Sequence, residues 1–461
     1  MKPIATIVTV AFILLLLRLG RDRRVRTSWG LWIPILWFAI ICSRPVSSWI
    51  HPNQITDYAT RFTESSPVDA TAYAVLVLAG LLVLNLRAQR LKILVQSNAP
   101  VLLFFFYTAL SMSWADDPPI AFKRWIKSIG DLIVVLVLLT EEDHEGAIRR
   151  MYLRVASVLL PLSVLFILYY PSIGTTYSAT DHVTMYTGVS TFKNLLGITC
   201  MACGLVALWS LIAALQDRED PQRKQHIAAH AINLLLALGL VLRADSMTSF
   251  SAFVLAGTIM VATSFRWVQR RRMVIVGLIA GVIGVAGFAL FLDTGGAMVE
   301  ALGRNPTLTG RTVIWRAVLA QKVNPLIGAG FESFWMGDRM ESVWSMSQYG
   351  IQEAHDGYLE LYLNLGWVGI ALLGTMIVTG YRNGMALFRR DTTAGKLRLT
   401  LLTAAVVFGF TEAGFRMLSP DWTGFLLAVT AVPVALEEVA RAEAQRAKQR
   451  QEKREQLRVL Y

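Results

Sequence analysis

Reactive side chains are sparse in this chain, with six histidines and three cysteines in 461 residues. His355 stands in Glu353-Ala354-His355-Asp356-Gly357-Tyr358-Leu359-Glu360, directly before a long apolar run. An imidazole at a boundary between membrane and water titrates near neutrality and accepts a proton from a hydroxyl. The plainer alternative for a lone histidine there is a cap or a surface residue. Arg311 opens Arg311-Thr312-Val313-Ile314-Trp315, where Thr309 or Asn305 is suited to cap a short helix. A guanidinium beside free helix N–H groups makes an anion site; an interfacial arginine bonded to headgroups is the competing reading. His226 and His230 share a helix face, but no carboxylate stands between them as a zinc-bound base requires. Cys200 and Cys203 read C-x-x-C on an apolar helix with no second ligand pair, so neither metal nor redox use is expected there. His51 and His182 fall in outward loops and His144 in an inward one.

The elements that must position these groups are membrane helices. Hydrophobic residues make up 54% and charged residues 16%, against roughly 45–50% and about 25% in soluble domains. The 44 Lys and Arg exceed the 32 Asp and Glu, giving +12; in a soluble chain that excess suggests nucleic acid, but here its placement argues against such a partner. Three cysteines exclude a disulfide framework. Thirteen apolar runs approach the length a bilayer demands. They lie near 3–17, 28–43, 69–86, 99–114, 124–140, 152–170, 194–215, 227–242, 247–264, 273–292, 358–380, 398–415 and 421–437. The first begins Met1-Lys2-Pro3 and no small-residue cleavage site follows it, which favours a membrane segment over a signal peptide; a peripheral placement of that run would leave twelve spans.

Basic clusters fall at 18–26, 87–92, 149–154, 218–224, 266–272, 382–398 and on the tail from Arg441, which is every second loop. The positive-inside rule then puts the N-terminus outside and the C-terminus in the cytoplasm. The tail alternates basic and acidic residues at helical spacing and is expected as a solvated helix along the anionic inner leaflet, with membrane lipids as its partners. The chain thus divides into helices over 1–292, an outward loop over 293–357, helices over 358–437 and a basic tail over 438–461. The loop holds Trp315, Trp335, Trp344, Phe331, Phe334 and Tyr349 beside Arg304, Arg311, Arg316, Arg339 and His355. That composition predicts a folded lid over a membrane cavity rather than disorder.

Three phrases in this order, GRNPTLTGRTVIW, NPLIGAGFESFW at 324–335 and EAHDGYLELYLNLGWVG at 353–369, resemble the superfamily of O-antigen ligases and Wzy-type polysaccharide polymerases, most closely its exopolysaccharide branch. Weaker echoes are SMSWADDPP at 111–119, GVSTFKNLLG at 188–197 and ADSMTSFSAF at 244–253. The resemblance implies an all-α, GT-C-like polytopic membrane enzyme without metal or other cofactor. Such an enzyme moves a glycan from a polyprenyl diphosphate carrier to an acceptor hydroxyl on the outer face of the bacterial inner membrane. It implies His355 as the base on the acceptor and Arg311 as a diphosphate ligand. Lys193 and Asn194, with Arg304, Trp315 and Asp356, would contact phosphate or sugar. Three positions depart from the family: Phe192 where His often precedes the Lys-Asn pair, Asp356 where Asn often follows the catalytic His, and Met247 where a basic residue often stands. Arg243, four residues before Met247 on the same helical face, is the candidate replacement.

A glycosyl diphosphate carries its own leaving group, so the protein has only to neutralise the departing charge and activate one hydroxyl. Losing one cationic contact to such a charge costs about 3–4 kcal/mol of transition-state stabilisation. Nearby cations are expected to lower the pKa of His355 and favour its neutral form. The lipid tail asks for a lateral apolar cleft. A polymerase extends a lipid-linked repeat and takes a chain-length regulator as partner; a ligase uses a lipid A core sugar instead. A lipid-linked oligosaccharide flippase is the reading from another class, but Asp131, Glu360 and Glu412 lie towards span ends or one per helix, and no internal repeat is visible.

Overall fold

The computed structural model describes the chain except residues 23, 26, 51–65, 178–182, 292–310, 348–349, 437, 441, 444, 446–448 and 450–461, and except the side chains of residues 272, 289–291 and 312. The described residues form a helical bundle whose only strands are a short antiparallel pair, Thr175–Tyr177 with Thr184–Tyr186, in register Thr176 opposite Met185. Among the described residues six helices are long and apolar enough to cross a membrane: Lys2–Leu19, Pro67–Leu86, His144–Tyr169, Lys193–Gln216, Arg223–Arg243 and Gly357–Arg390. Two pairs of helices bent by 87° and 97° raise that number to eight where each pair is counted as one span. The other expected spans are also helical but shorter or more charged, among them Trp32–Ile41, Pro118–Leu139, Met247–Ala262 and Thr392–Phe408. The chain is an all-α polytopic membrane protein.

Aspartates start several of these helices. Asp117, Asp143, Asp356 and Asp391 each precede a helix and accept a bond from a first-turn N–H, which satisfies donors that would otherwise be orphaned. The interior is filled by large side chains, with Trp37, Trp209, Trp335 and Trp422 almost fully buried. By contrast Lys2–Leu19 leaves most of its apolar surface, including Ile4, Ile7 and Leu14, exposed for lipid. Cys42, Cys200 and Cys203 are free and buried.

The described part of the long loop is folded. Helices Arg311–Leu319 and Gly337–Met346 enclose an apolar cluster of their own, with Ile314, Val318, Phe334, Trp335 and Val343. This cap is fastened to the membrane helices at a break. Gly366 has φ 63° and ψ −164° inside Gly357–Arg390, a conformation essentially reserved for glycine. The turn at 324–330 packs into that break: Trp367 N–H donates to Pro325 O at 2.9 Å, and Ala329 N–H to Leu363 O at 2.9 Å. A Cβ on Gly366 would lie 2.3 Å from the Leu326 carbonyl, so the close approach needs its absence. The 111–119 phrase meets the same place, with Trp114 Nε1 donating to Ile327 O at 3.3 Å and Asp116 N–H to Ser333 Oγ at 2.9 Å.

Candidate active site

Segments far apart in sequence converge at one end of the bundle. The start of Lys193–Gln216 packs closely on the turn before Met247–Ala262, where a Cβ on Gly197 would lie 2.5 Å from Ser246 Cβ. Thr411 Oγ1 donates to Thr248 Oγ1 at 3.2 Å, tying that turn to the loop after Thr392–Phe408. Gly357 N–H donates to Gly409 O at 2.8 Å and brings the His355 segment against the same loop.

Glu412 lies at the centre and is 8% exposed. Its Oε1 accepts from Arg311 Nη2 at 3.3 Å, and both oxygens lie 3.4 Å from Asn194 Nδ2. His355 Nδ1 is 3.4 Å from Glu412 Oε2 and 3.0 Å from Glu353 Oε1. Behind this first layer Arg416 places Nη1 3.7 Å from Glu353 Oε2 and its Nε and Nη2 3.3 Å from Glu332 Oε2. Two carboxylates deeper in the fold brace the loops. Glu360 accepts from Trp335 Nε1 at 2.7 Å and from Ala354 N–H at 2.9 Å. Asp131 accepts from Trp37 Nε1 and from Leu418 N–H, both at 2.8 Å. Trp315 Nε1 donates to Ala354 O at 2.8 Å, completing the hold on the residue before His355. His355 itself has φ 50°, a left-handed conformation that a histidine keeps only where its surroundings over-determine it.

Burial opposes a charge on His355, but hydrogen bonds and attraction from Glu353 and Glu412 outweigh it and raise its pKa from 6.5 to about 10. The expected lowering by nearby cations is therefore corrected: the carboxylates stand between the imidazole and the guanidinium groups and dominate its surroundings. Burial likewise opposes charge on Glu353 and Arg416, yet their partners win, holding Glu353 below the usual carboxylate range and Arg416 above the usual guanidinium one.

Three of the sequence candidates, Arg311, His355 and Asn194, stand at this cluster, while Lys193, next to Asn194 in the chain, pairs with Asp245. Lys193 Nζ lies 3.7 Å from Asp245 Oδ2. Arg243 borders it: its guanidinium lies 4.0 Å from the Tyr186 ring and donates to the Tyr186 hydroxyl at 2.8 Å, and its described partner is that tyrosine rather than Glu412. Trp315 and Asp356 are expected to touch substrate, and here they brace: Asp356 caps Gly357–Arg390 through Leu359 N–H at 2.8 Å. Arg304, Asn305, Thr309, Tyr349, His51 and His182 lie outside the described residues. At the opposite end of the bundle His226 Nδ1 is 2.6 Å from Asp220 Oδ2 and His230 is buried. Glu412, Glu353 and Arg416 are the members that motif reading misses. The signal for Glu412 is physical: an acid in an apolar stretch must be paired.

With Nδ1 committed to carboxylates, Nε2 of His355 is the nitrogen left for a substrate proton. Arg311, Asn194 and Lys193 supply donors to an anion. Glu353, His355 and Glu412 also offer one ligand atom each within 4.8 Å of one another, the composition of a cation site; a cation held at Nδ1 of His355 requires that nitrogen to lose its proton.

The fold and this cluster define a polytopic membrane protein that gathers a histidine, two arginines and several carboxylates at one end of its helices. A family model described as "O-Antigen ligase" matches residues 232–374, a range that holds Arg243, Arg311 and His355 but stops short of Glu412 and Arg416. The exopolysaccharide production protein ExoQ of Rhizobium meliloti (strain 1021) is 24% identical over 339 residues, covering 71% of this chain and 75% of the relative. These matches support placing the chain in the superfamily of O-antigen ligases and Wzy-type polysaccharide polymerases, on its exopolysaccharide side.

Proposed function

We propose that this protein is a polysaccharide polymerase. It transfers a glycan from a polyprenyl (undecaprenyl) diphosphate carrier onto a hydroxyl of a lipid-linked repeat unit, in exopolysaccharide or O-antigen synthesis, at the periplasmic face of the bacterial inner membrane. The observation that carries the reading is the convergence of Arg311, Asn194 and His355 on one carboxylate at the end of the bundle. In the step itself the acceptor O–H gives its proton to His355 Nε2 while its oxygen bonds the anomeric carbon. The bond from that carbon to the diphosphate oxygen breaks, and the carrier diphosphate leaves with the electron pair, its charge met by Arg311, Asn194 and Lys193. Glu353 and Glu412 orient the imidazole and stabilise the imidazolium, the part a carboxylate plays in a catalytic triad.

The test gives the purified protein one lipid-linked repeat unit and no other acceptor. A ladder of longer products is expected, whereas product only after addition of lipid A core would make it a ligase. A vesicle assay in which carrier-linked glycan crosses the bilayer equally well with His355→Ala would make it a flippase. The reaction is proposed to need no metal: chelation should leave the ladder intact. Loss restored by added manganese would instead fill the Glu353–His355–Glu412 site. A chain-length regulator remains the proposed partner.

A further inference from the structure

Two of the donors that the proposed reaction needs for its leaving group are already engaged. Arg311 Nη2 and Asn194 Nδ2 both point at Glu412, which is nearly buried and reaches them from the loop between Thr392–Phe408 and Pro420–Val429. Among the described residues Glu412 is the one side chain that accepts from Arg311 and from Asn194 Nδ2. A diphosphate and a carboxylate present the same chemistry to such donors, namely anionic oxygens at hydrogen-bond distance. The loop carrying Glu412 is anchored on either side of it, at Thr411 by Thr248 and at Leu418 by Asp131, so the side chain is the part that can move. On leaving Arg311 it keeps a partner in His355 Nδ1, 3.4 Å from its other oxygen.

We propose that Glu412 is a resident surrogate for the donor's diphosphate. Its carboxylate fills the anion seat formed by Arg311 and Asn194 when the seat is empty, and is displaced from them onto His355 when the diphosphate arrives. The inference rests on the reading of this site as a diphosphate-dependent transferase. A self-occupied seat weakens apparent binding by the fraction of time it is free, so a carboxylate in place nine-tenths of the time costs about tenfold. It also keeps two half-buried donors satisfied between turnovers and links donor arrival to the histidine.

Binding of inorganic pyrophosphate to the purified full chain tests this. Glu412→Gln, which keeps the shape and removes the competing anion, should bind pyrophosphate roughly tenfold tighter than wild type. Arg311→Ala should weaken binding and, combined with Glu412→Gln, erase the gain, because the two effects act on one seat. Glu353→Gln removes the same charge beside His355 without touching Arg311, and should tighten binding far less. Equal tightening by Glu353→Gln, or none by Glu412→Gln while Arg311→Ala still weakens binding, overturns the surrogate and leaves the transferase reading standing. If neither wild type nor Glu412→Gln binds pyrophosphate, both fall. Should Glu412→Gln not yield monodisperse protein, Glu412→Asp serves: its shorter reach should tighten binding to an intermediate degree, and unchanged affinity refutes the proposal.

Discussion

At the scale of single residues the site turns on which neighbours His355 meets. Arginines are abundant in the surrounding sequence, yet the groups that touch the imidazole are Glu353 and Glu412, and its pKa rises to about 10. At neutral pH the resting site holds imidazolium, so transfer should accelerate as pH rises and the neutral fraction grows. Glu353→Gln removes one stabilising charge and should move that rise to lower pH. Initial rates against pH for both proteins check this, and a profile that ignores the substitution would remove His355 from the proton transfer. The same shift bears on stability: a pKa raised from 6.5 to about 10 gives stabilisation that is complete below 6.5 and lost as pH climbs through 10. The thermal midpoint of the empty protein should fall across that window, and His355→Ala should flatten the fall. Arg311→Ala, by loss of a preorganised donor, should lower kcat by about 10²–10³-fold, with Arg311→Lys recovering part of it as a point charge without the fork.

At the scale of elements, the positioning device is the break at Gly366. It splits a 34-residue helix so that its first turns carry Glu360 and Asn364 beside the cap, while the remainder runs on as a span. Asn364 Oδ1 accepts from Ser333 and Phe334 N–H at 2.9 and 3.0 Å, and Glu360 holds Trp335 and Ala354, so the break, the cap and the His355 loop form one unit. Gly366→Ala should cost about 1–3 kcal/mol from the dihedral alone, and more from the overlap with Leu326. The midpoint of thermal unfolding in detergent should drop, and activity with it even at temperatures where the chain stays folded. Trp335→Phe, which leaves a Glu360 oxygen short of a buried partner, should destabilise by about 1–3 kcal/mol. How much of this was legible beforehand divides along physical lines. Hydropathy alone marks the apolar membrane helices, because lipid demands apolar faces, and motif order singles out Arg311 and His355. The break was not legible, since Gly366 is one of several glycines in apolar runs and its role depends on a segment 40 residues earlier. Asp356 carries two signals at once, its place beside His355 pointing to substrate and its place before Gly357–Arg390 to the cap that it forms.

At the scale of the whole molecule, the candidate site and the basic clusters occupy opposite ends. The site gathers the start of Lys193–Gln216, the end of Thr392–Phe408 and the start of Gly357–Arg390. The other end gathers Arg87 on Glu141, Arg150 on the carbonyls of Asp22 and Val25, and Lys396 on Ser264. Arg90 on Glu443 ties the first residues of the tail to that same end. At 1.5 Å per residue the 24-residue helix Lys193–Gln216 separates the two ends by about 36 Å, enough to span the hydrocarbon of a bilayer. Most of the +12 charge thus reads as an orientation signal, with the site left at the end where cations are few and engaged. That assignment has a direct consequence. The three native cysteines are buried, so a cysteine placed on the exposed Asp338 of the cap, or on the exposed Glu219 at the far end, should dominate labelling by a membrane-impermeant maleimide. In intact spheroplasts Asp338→Cys should react and Glu219→Cys should not; in inverted vesicles the order should reverse. The opposite order would place the site on the cytoplasmic side, where a donor already carried across the membrane could not reach it.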